Sequence, residues 1–188
     1  KSMEECDEGY GYIIYSTSVF VGAEGAKLLL PPIHDIAHVY VNGQYTKTLY
    51  RNVSEREVDL DTHGETLVQI VVENMGRVNY GKELYDRKGI SNIHYINQVL
   101  TDFEVYTMPL DNLEKLEFAP IKTENKNGPV FLKGTFKADK GECFVDMTGF
   151  TKGYVFVNGF NLGRYWDIGP QKALYLPGAI LKDENEII

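Results

Sequence analysis

The chain has 188 residues, 43% of them hydrophobic and 24% charged, with a formal net charge of −8 at pH 7. That apolar share supports a packed core and excludes a disordered chain, while the acidic balance argues against a nucleic-acid partner, whose phosphates repel it. No apolar run approaches the roughly 18 residues of a membrane-spanning helix, and clusters such as Leu28-Leu29-Leu30 or Ile70-Val71-Val72 are strand-sized.

Strand signals dominate from the start. Residues 10–19 are rich in Tyr, Ile and Thr, which suit a pleated surface. Residues 37–41 run into Asn42-Gly43, and the pattern resumes at Gln44 with Tyr45, Thr46 and Thr48. Asn-Gly between two such runs predicts a type I′ hairpin, because both turn residues need positive φ. Residues 67–72 are almost continuously apolar, the pattern of a strand covered on both faces. Residues 92–108 alternate, carrying Ile93, Tyr95, Val99, Phe103, Val105 and Tyr106. Asp111 is placed to cap a short turn bearing Leu113 and Leu116. Residues 119–129 lack apolar periodicity and read as a linker. Further strands are predicted at 130–136, 143–147, 154–157, 173–176 and 186–188.

The sequence also repeats itself. Val41-Asn42-Gly43 returns as Val157-Asn158-Gly159, each after a strand-like run. At nearly the same offset, Ile13-Ile14-Tyr15-Ser16-Thr17 resembles Phe131-Leu132-Lys133-Gly134-Thr135, and the stretch from Glu65 resembles that from Glu184. Two copies of one β unit follow: a first β-domain at residues 1–118, the linker at 119–129, and a second β-domain at 130–188 that reads as cut short at its C-terminal end. A start at Lys1, without initiator Met or signal peptide, predicts an excerpt of a longer protein. Many short strands broken by Gly and Pro predict an all-β fold of two tandem jelly-roll sandwiches. An immunoglobulin-like sandwich is the alternative, weakened by the absence of Cys…Trp…Cys spacing. Cys6 and Cys143 fit neither a disulfide framework nor a metal pair and read as two unpaired thiols.

Two segments are specific enough to carry a family resemblance. One is Val72-Glu73-Asn74-Met75-Gly76-Arg77-Val78-Asn79-Tyr80-Gly81. The other is Lys-Gly-Tyr-Val-Phe-Val-Asn-Gly-Phe-Asn-Leu-Gly-Arg-Tyr-Trp at 152–166, followed by Gly169-Pro170-Gln171. Together with Gly9-Tyr10-Gly11-Tyr12-Ile13-Ile14-Tyr15, they resemble the C-terminal β-domains of the family 35 glycoside hydrolases, the β-galactosidases, over nearly the whole chain. The resemblance implies galactose-binding-like jelly rolls that accompany a catalytic (β/α)₈ barrel with two glutamates and a retaining mechanism. A barrel needs about 250 residues, so the catalytic carboxylates are expected outside this chain, and the chain alone is expected to be inactive. The implied partners are that barrel and a β-galactoside. No cofactor or metal is expected, and the implied setting is extracytoplasmic: periplasmic, secreted or lysosomal.

Within that frame, the 76–81 loop is the first candidate site. Gly76 and Gly81 permit tight turns, and Arg77, Asn79 and Tyr80 between them offer a cation, an amide and a phenol suited to sugar hydroxyls and C–H faces. The resemblance implies that this loop faces the barrel, with Tyr80 near the rim of the galactose site. The plainer reading is a structural loop in which Arg77 ties carbonyls or carboxylates. Asn161, Arg164, Tyr165 and Trp166, the only tryptophan, form a second candidate: a sugar platform, or more plainly a core edge or interface. Asn42 and Asn158 read as turn chemistry. His34 and His38 have the spacing of a helical zinc pair but enter a strand, where a rise of about 13 Å separates them. Asp59 and Asp61 could join a calcium site, solvated carboxylates being the plainer reading. Glu73 reads as a loop anchor, and Asn52-Val53-Ser54 is a glycosylation sequon. The leading function is a non-catalytic β-domain region that braces the barrel and lines the galactoside site. A stand-alone carbohydrate-binding module is the alternative, and a surface adhesion protein is the third class.

Overall fold

The computed structural model describes residues 1–121 and 128–188. Residues 122–127, inside the expected linker, lie outside the described residues. The chain divides into two compact units, one of Lys1–Asp111, joined by Gly128 and Pro129, the second of Val130–Ile188 together with residues 112–121. Every named strand pairing is antiparallel. The only helical elements among the described residues are 3₁₀ turns at Glu4–Cys6, Lys82–Tyr85, Leu113–Lys115 and Gly178–Ile180. The N-cap of the third is Asn112, one residue beyond the expected Asp111.

The first unit runs through β1 (Tyr12–Val21), β2 (Lys27–Leu29), β3 (Ile36–Val41), β4 (Gln44–Tyr50), β5 (Glu57–Asp59), β6 (Gly64–Glu73), β7 (His94–Tyr95), β8 (Gln98–Val99) and β9 (Glu104–Met108). One sheet has the order β4-β3-β6-β1-β9 and the other β5-β2-β7-β8. A single core draws on both: Ile13, Tyr15, Val39, Val68, Ile70 and Val72 from the larger sheet, Leu28 and Val58 from the smaller. Each such aliphatic burial contributes about 1.5–3 kcal/mol. β6 differs from the two-sided burial its apolar run predicts. Thr66, Val68, Ile70 and Val72 face the core, while Leu67 is exposed and Gln69 and Val71 are half-buried. Residues 92–108 are not one strand but the β7–β8 hairpin followed by β9. The hairpin turns at Ile96-Asn97, both with positive φ (45° and 59°).

The second unit contains β10 (Gly134–Phe136), β11 (Cys143–Asp146), β12 (Lys152–Val157), β13 (Phe160–Trp166), β14 (Ala173–Leu176) and β15 (Asn185–Ile187). Its sheets are β10-β15-β12-β13 and β11-β14, around Val155, Val157, Tyr165, Leu174, Leu176 and Leu181. The strand expected at 130–136 is reduced to its last three residues.

The repeat is visible in the connectivity. The order β13-β12-β15-β10 reproduces β4-β3-β6-β1, and the β11–β14 pair reproduces β2–β5. Both hairpins turn on Asn-Gly with positive φ, 49° and 74° at Asn42-Gly43, 52° and 81° at Asn158-Gly159. Both carry a bulge in the same place, between Val39 and Tyr40 and between Val155 and Phe156, leaving Thr46 and Leu162 as the extra residues. In each unit the turn asparagine grips the next strand twice. The Asn42 amide donates to the Leu67 carbonyl (2.8 Å), and its Oδ1 accepts from the Leu67 amide (2.9 Å). Asn158 does the same with Glu186, at 3.0 Å in both bonds.

Candidate functional site

The 76–81 loop leaves β6 over an anchored base. Asn74 is buried; its Nδ2 donates to the Gly9 carbonyl (3.0 Å) and its Oδ1 accepts from the Gly76 amide (2.9 Å). The Met75 amide donates to Asp35 Oδ2 (2.9 Å). Asp35 is the hub. It is almost fully buried, and its carboxylate receives Lys88 Nζ at 2.7 Å and Arg51 Nη1 at 3.0 Å. Arg51 also holds Asp86, so the hub ties β3, β4, the loop base and the segment at 86–88. Lys88, at 2% exposure, is a charge that stays inside only because Asp35 meets it. Burial alone would raise the Asp35 carboxyl. The bonds from Lys88, the Met75 amide and Arg51 outweigh it and hold the group below the usual carboxylate range.

Glu4 makes a second tie. Its carboxylate accepts from the Lys88 amide (3.1 Å to each oxygen) and from Arg77 Nη1 (2.5 Å). Arg77 therefore spends its charge within its own unit. Asn79 and Tyr80 project from the fixed base, Tyr80 at 87% exposure. Glu73 is buried at the end of β6, where it borders this base. Asp35, Arg51 and Lys88 carried no sequence signal, being brought together only by the fold, over separations of 16 and 53 residues.

The second candidate cluster lies along β13 and divides by strand alternation. Tyr165 turns into the core, edge-on to Phe150 (centroids 6.4 Å apart) and against Gly153, where an added Cβ would lie 2.9 Å from the Tyr165 hydroxyl. Arg164 and Trp166 sit half-buried on the opposite register, and Lys152 Nζ lies 5.5 Å from the Trp166 ring centroid. Asn161 folds onto its own backbone, accepting from the Gly163 amide at 2.8 Å.

The remaining candidates are accounted for locally. His34 Nδ1 meets the Arg87 carbonyl and His38 Nδ1 meets Thr48 Oγ1, each at 2.8 Å. Asp59 lies 3.5 Å from Lys27. No group of three or more His, Cys, Asp or Glu among the described residues is arranged to hold a metal. Cys6 and Cys143 are free thiols, and Asn52 of the sequon is exposed.

Two family models match the chain: the first all-β domain of β-galactosidase over residues 1–110, and the galactose-binding domain of β-galactosidase over residues 129–186. The chain is 37% identical, over 96% of its length, to Beta-galactosidase-1-like protein 2 of Homo sapiens, covering 29% of that protein. It is 32% identical to the Beta-galactosidase of Xanthomonas manihotis (93% of this chain, 29% of the relative). It is also 32% identical to Beta-galactosidase 1 of Dictyostelium discoideum (99% and 31%). The chain thus spans less than a third of the length of these curated relatives.

Proposed function

Since the chain belongs to the β-galactosidase family, through its first all-β domain and its galactose-binding domain, we propose that it serves as a non-catalytic β-domain region that braces a catalytic barrel and lines one wall of its galactoside site. The observation that carries this reading is the contrast within the 76–81 loop. Its base is fixed by buried Asn74 and Asp35 and its arginine by Glu4, yet Asn79 and Tyr80 are presented outward. A loop held this firmly at its stem and left open at its tip is suited to meet a partner without an ordering cost on contact. The barrel performs the chemistry, and these units supply orientation and water exclusion around it. The same reading places the chain in an extracytoplasmic compartment, in keeping with the sequon at exposed Asn52.

The test is complementation. The chain alone leaves a chromogenic β-galactoside intact. Added to a family catalytic domain freed of its own β-domains, it raises that domain's thermal transition and lowers its KM. Tyr80→Ala reverses the KM effect without altering the chain's own melting. Turnover by the chain alone, lost on mutation of one of its own residues, overturns the non-catalytic reading. Absence of any effect on the catalytic domain overturns the bracing role.

A further inference from the structure

The first unit holds a cavity of about 580 Å³, whose lining includes no residue of the 76–81 loop. Residues of β1, of the segment 85–93 and of the stretch between β8 and β9 line it. Its volume falls within the roughly 300–1,000 Å³ of small-molecule sites. The floor is apolar and braced. Ile90 and Ile93 are buried, Phe103 packs edge-on to Tyr15 at 6.3 Å, and the Tyr15 hydroxyl donates to the Lys1 carbonyl (2.7 Å) while accepting from the Ile90 amide (3.2 Å).

The charges around the cavity are largely committed elsewhere. Arg87 is paired with Glu5 at 2.8 Å, Lys88 with Asp35 at 2.7 Å, and Asp86 with Arg51. Lys1 is the remaining lining cation, and its amino terminus acts electrostatically on Glu5. The other groups left for a ligand are hydrogen-bonding side chains. His34 Nδ1 lies 2.8 Å from the Arg87 carbonyl, which can only accept, so Nδ1 carries a proton and Nε2 is left to meet a ligand hydroxyl. Ser91 and Asn92 are exposed at the wall, each able to donate and accept, and Tyr85 offers an exposed ring.

We propose that this cavity binds a neutral saccharide of one or two rings. Sugar hydroxyls meet His34 Nε2, Ser91 and Asn92, and a C–H face rests on the apolar floor. A free anion would find few unspent cations here, and a purely apolar ligand would strand the polar wall. The choice of galactosides as probes rests on the family assignment, but the cavity stands independently of how Tyr80 meets a partner.

The test is an amide NMR titration of the chain with galactose and lactose into the millimolar range, with inorganic phosphate as the anionic control. Saturating shifts at the His34, Ser91 and Asn92 amides are expected. Asn92→Ala and Ser91→Ala, both at exposed positions, should weaken binding roughly tenfold with unchanged thermal melts. The Tyr80→Ala variant should bind as the parent does. Absence of sugar shifts, shifts confined to the second unit, or tighter binding of phosphate than of either sugar would overturn the assignment.

Discussion

At the scale of single residues, two positions join the fold to its sites. Gly89 has φ of +120°, and a Cβ there would stand 2.2 Å from the Tyr15 hydroxyl. It also exchanges both backbone bonds with His34 (2.9 and 3.1 Å). Gly89→Ala should therefore cost roughly 3 kcal/mol or more, from backbone strain plus the displaced tyrosine. A denaturant melt would measure the loss, and a shift below about 1 kcal/mol would contradict the close packing described. Asp35 is the second position. Asp35→Ala leaves Lys88 buried without its counter-charge and should cost about 3–5 kcal/mol. Because the folded carboxyl titrates below its ordinary value near 3.9, its stabilising effect is present above that pH. It is lost as pH falls through the lowered folded value. In melts at stepped pH, the stability gap between the parent and Asp35→Asn should be constant near neutrality and narrow only below about pH 4. A gap that narrows already at pH 6 would assign the hub to another group. None of this is legible in the sequence, where a lone Lys and a lone Asp 53 residues apart look like any solvated pair.

At the scale of elements, the readable parts are those whose chemistry is local. Asn-Gly announces a turn with two positive φ values, and both hairpins lie where the sequence puts them. The β7–β8 turn hides because Ile96 takes a positive φ that its side chain disfavours, so alternation runs through it unbroken. β2 registers only as the strand-sized cluster Leu28-Leu29-Leu30 and β5 only through Asp59, because each is three residues long with one buried side chain, too short for a period to show. Leu67 misleads because an apolar residue can stand on an exposed face. β13 reads as a single cluster of site-like residues, yet its pleat sends Tyr165 inward and Arg164 and Trp166 the other way. The turn asparagines are testable as related devices. Alanine at Asn42 should cost about 2 kcal/mol, from the left-handed backbone and the lost side-chain bonds to Leu67 and Thr62, and alanine at Asn158 should cost more, because its Nδ2 also donates to the Ile180 carbonyl and Asn185 Oδ1. Glycine should recover the backbone part. Hydrogen exchange at the Leu67 amide reports the first, and the fluorescence transition of Trp166 the second. Equal stability of the alanine and glycine variants would refute the backbone contribution.

At the scale of the whole molecule, composition and surface combine. The pI is about 5.0, and large apolar side chains such as Phe20, Tyr80, Tyr85 and Phe144 stand exposed. Repulsion among like charges keeps copies apart at neutral pH and vanishes near the pI. Light scattering should therefore detect reversible self-association on approaching pH 5, and clean monomers across that range would show that these side chains do not form contiguous sticky surface. The first unit adds β7, β8 and β9 to the plan that both units share, and its cavity is lined by the segment leading into them, by Leu100 and Phe103 between β8 and β9, and by Tyr15, His34 and the N-terminal residues. The two bulged hairpins, by contrast, have the same turn, the same extra-residue position and the same grip on the following strand. What the repeat carries over is therefore the tip, the Asn-Gly turn with its bulge, while the stems are fitted to their own sheets: β3 pairs along its whole length with β6, whereas β12 meets β15 at Val157 alone, so an engineer varying one sandwich from the other would exchange tips and keep stems.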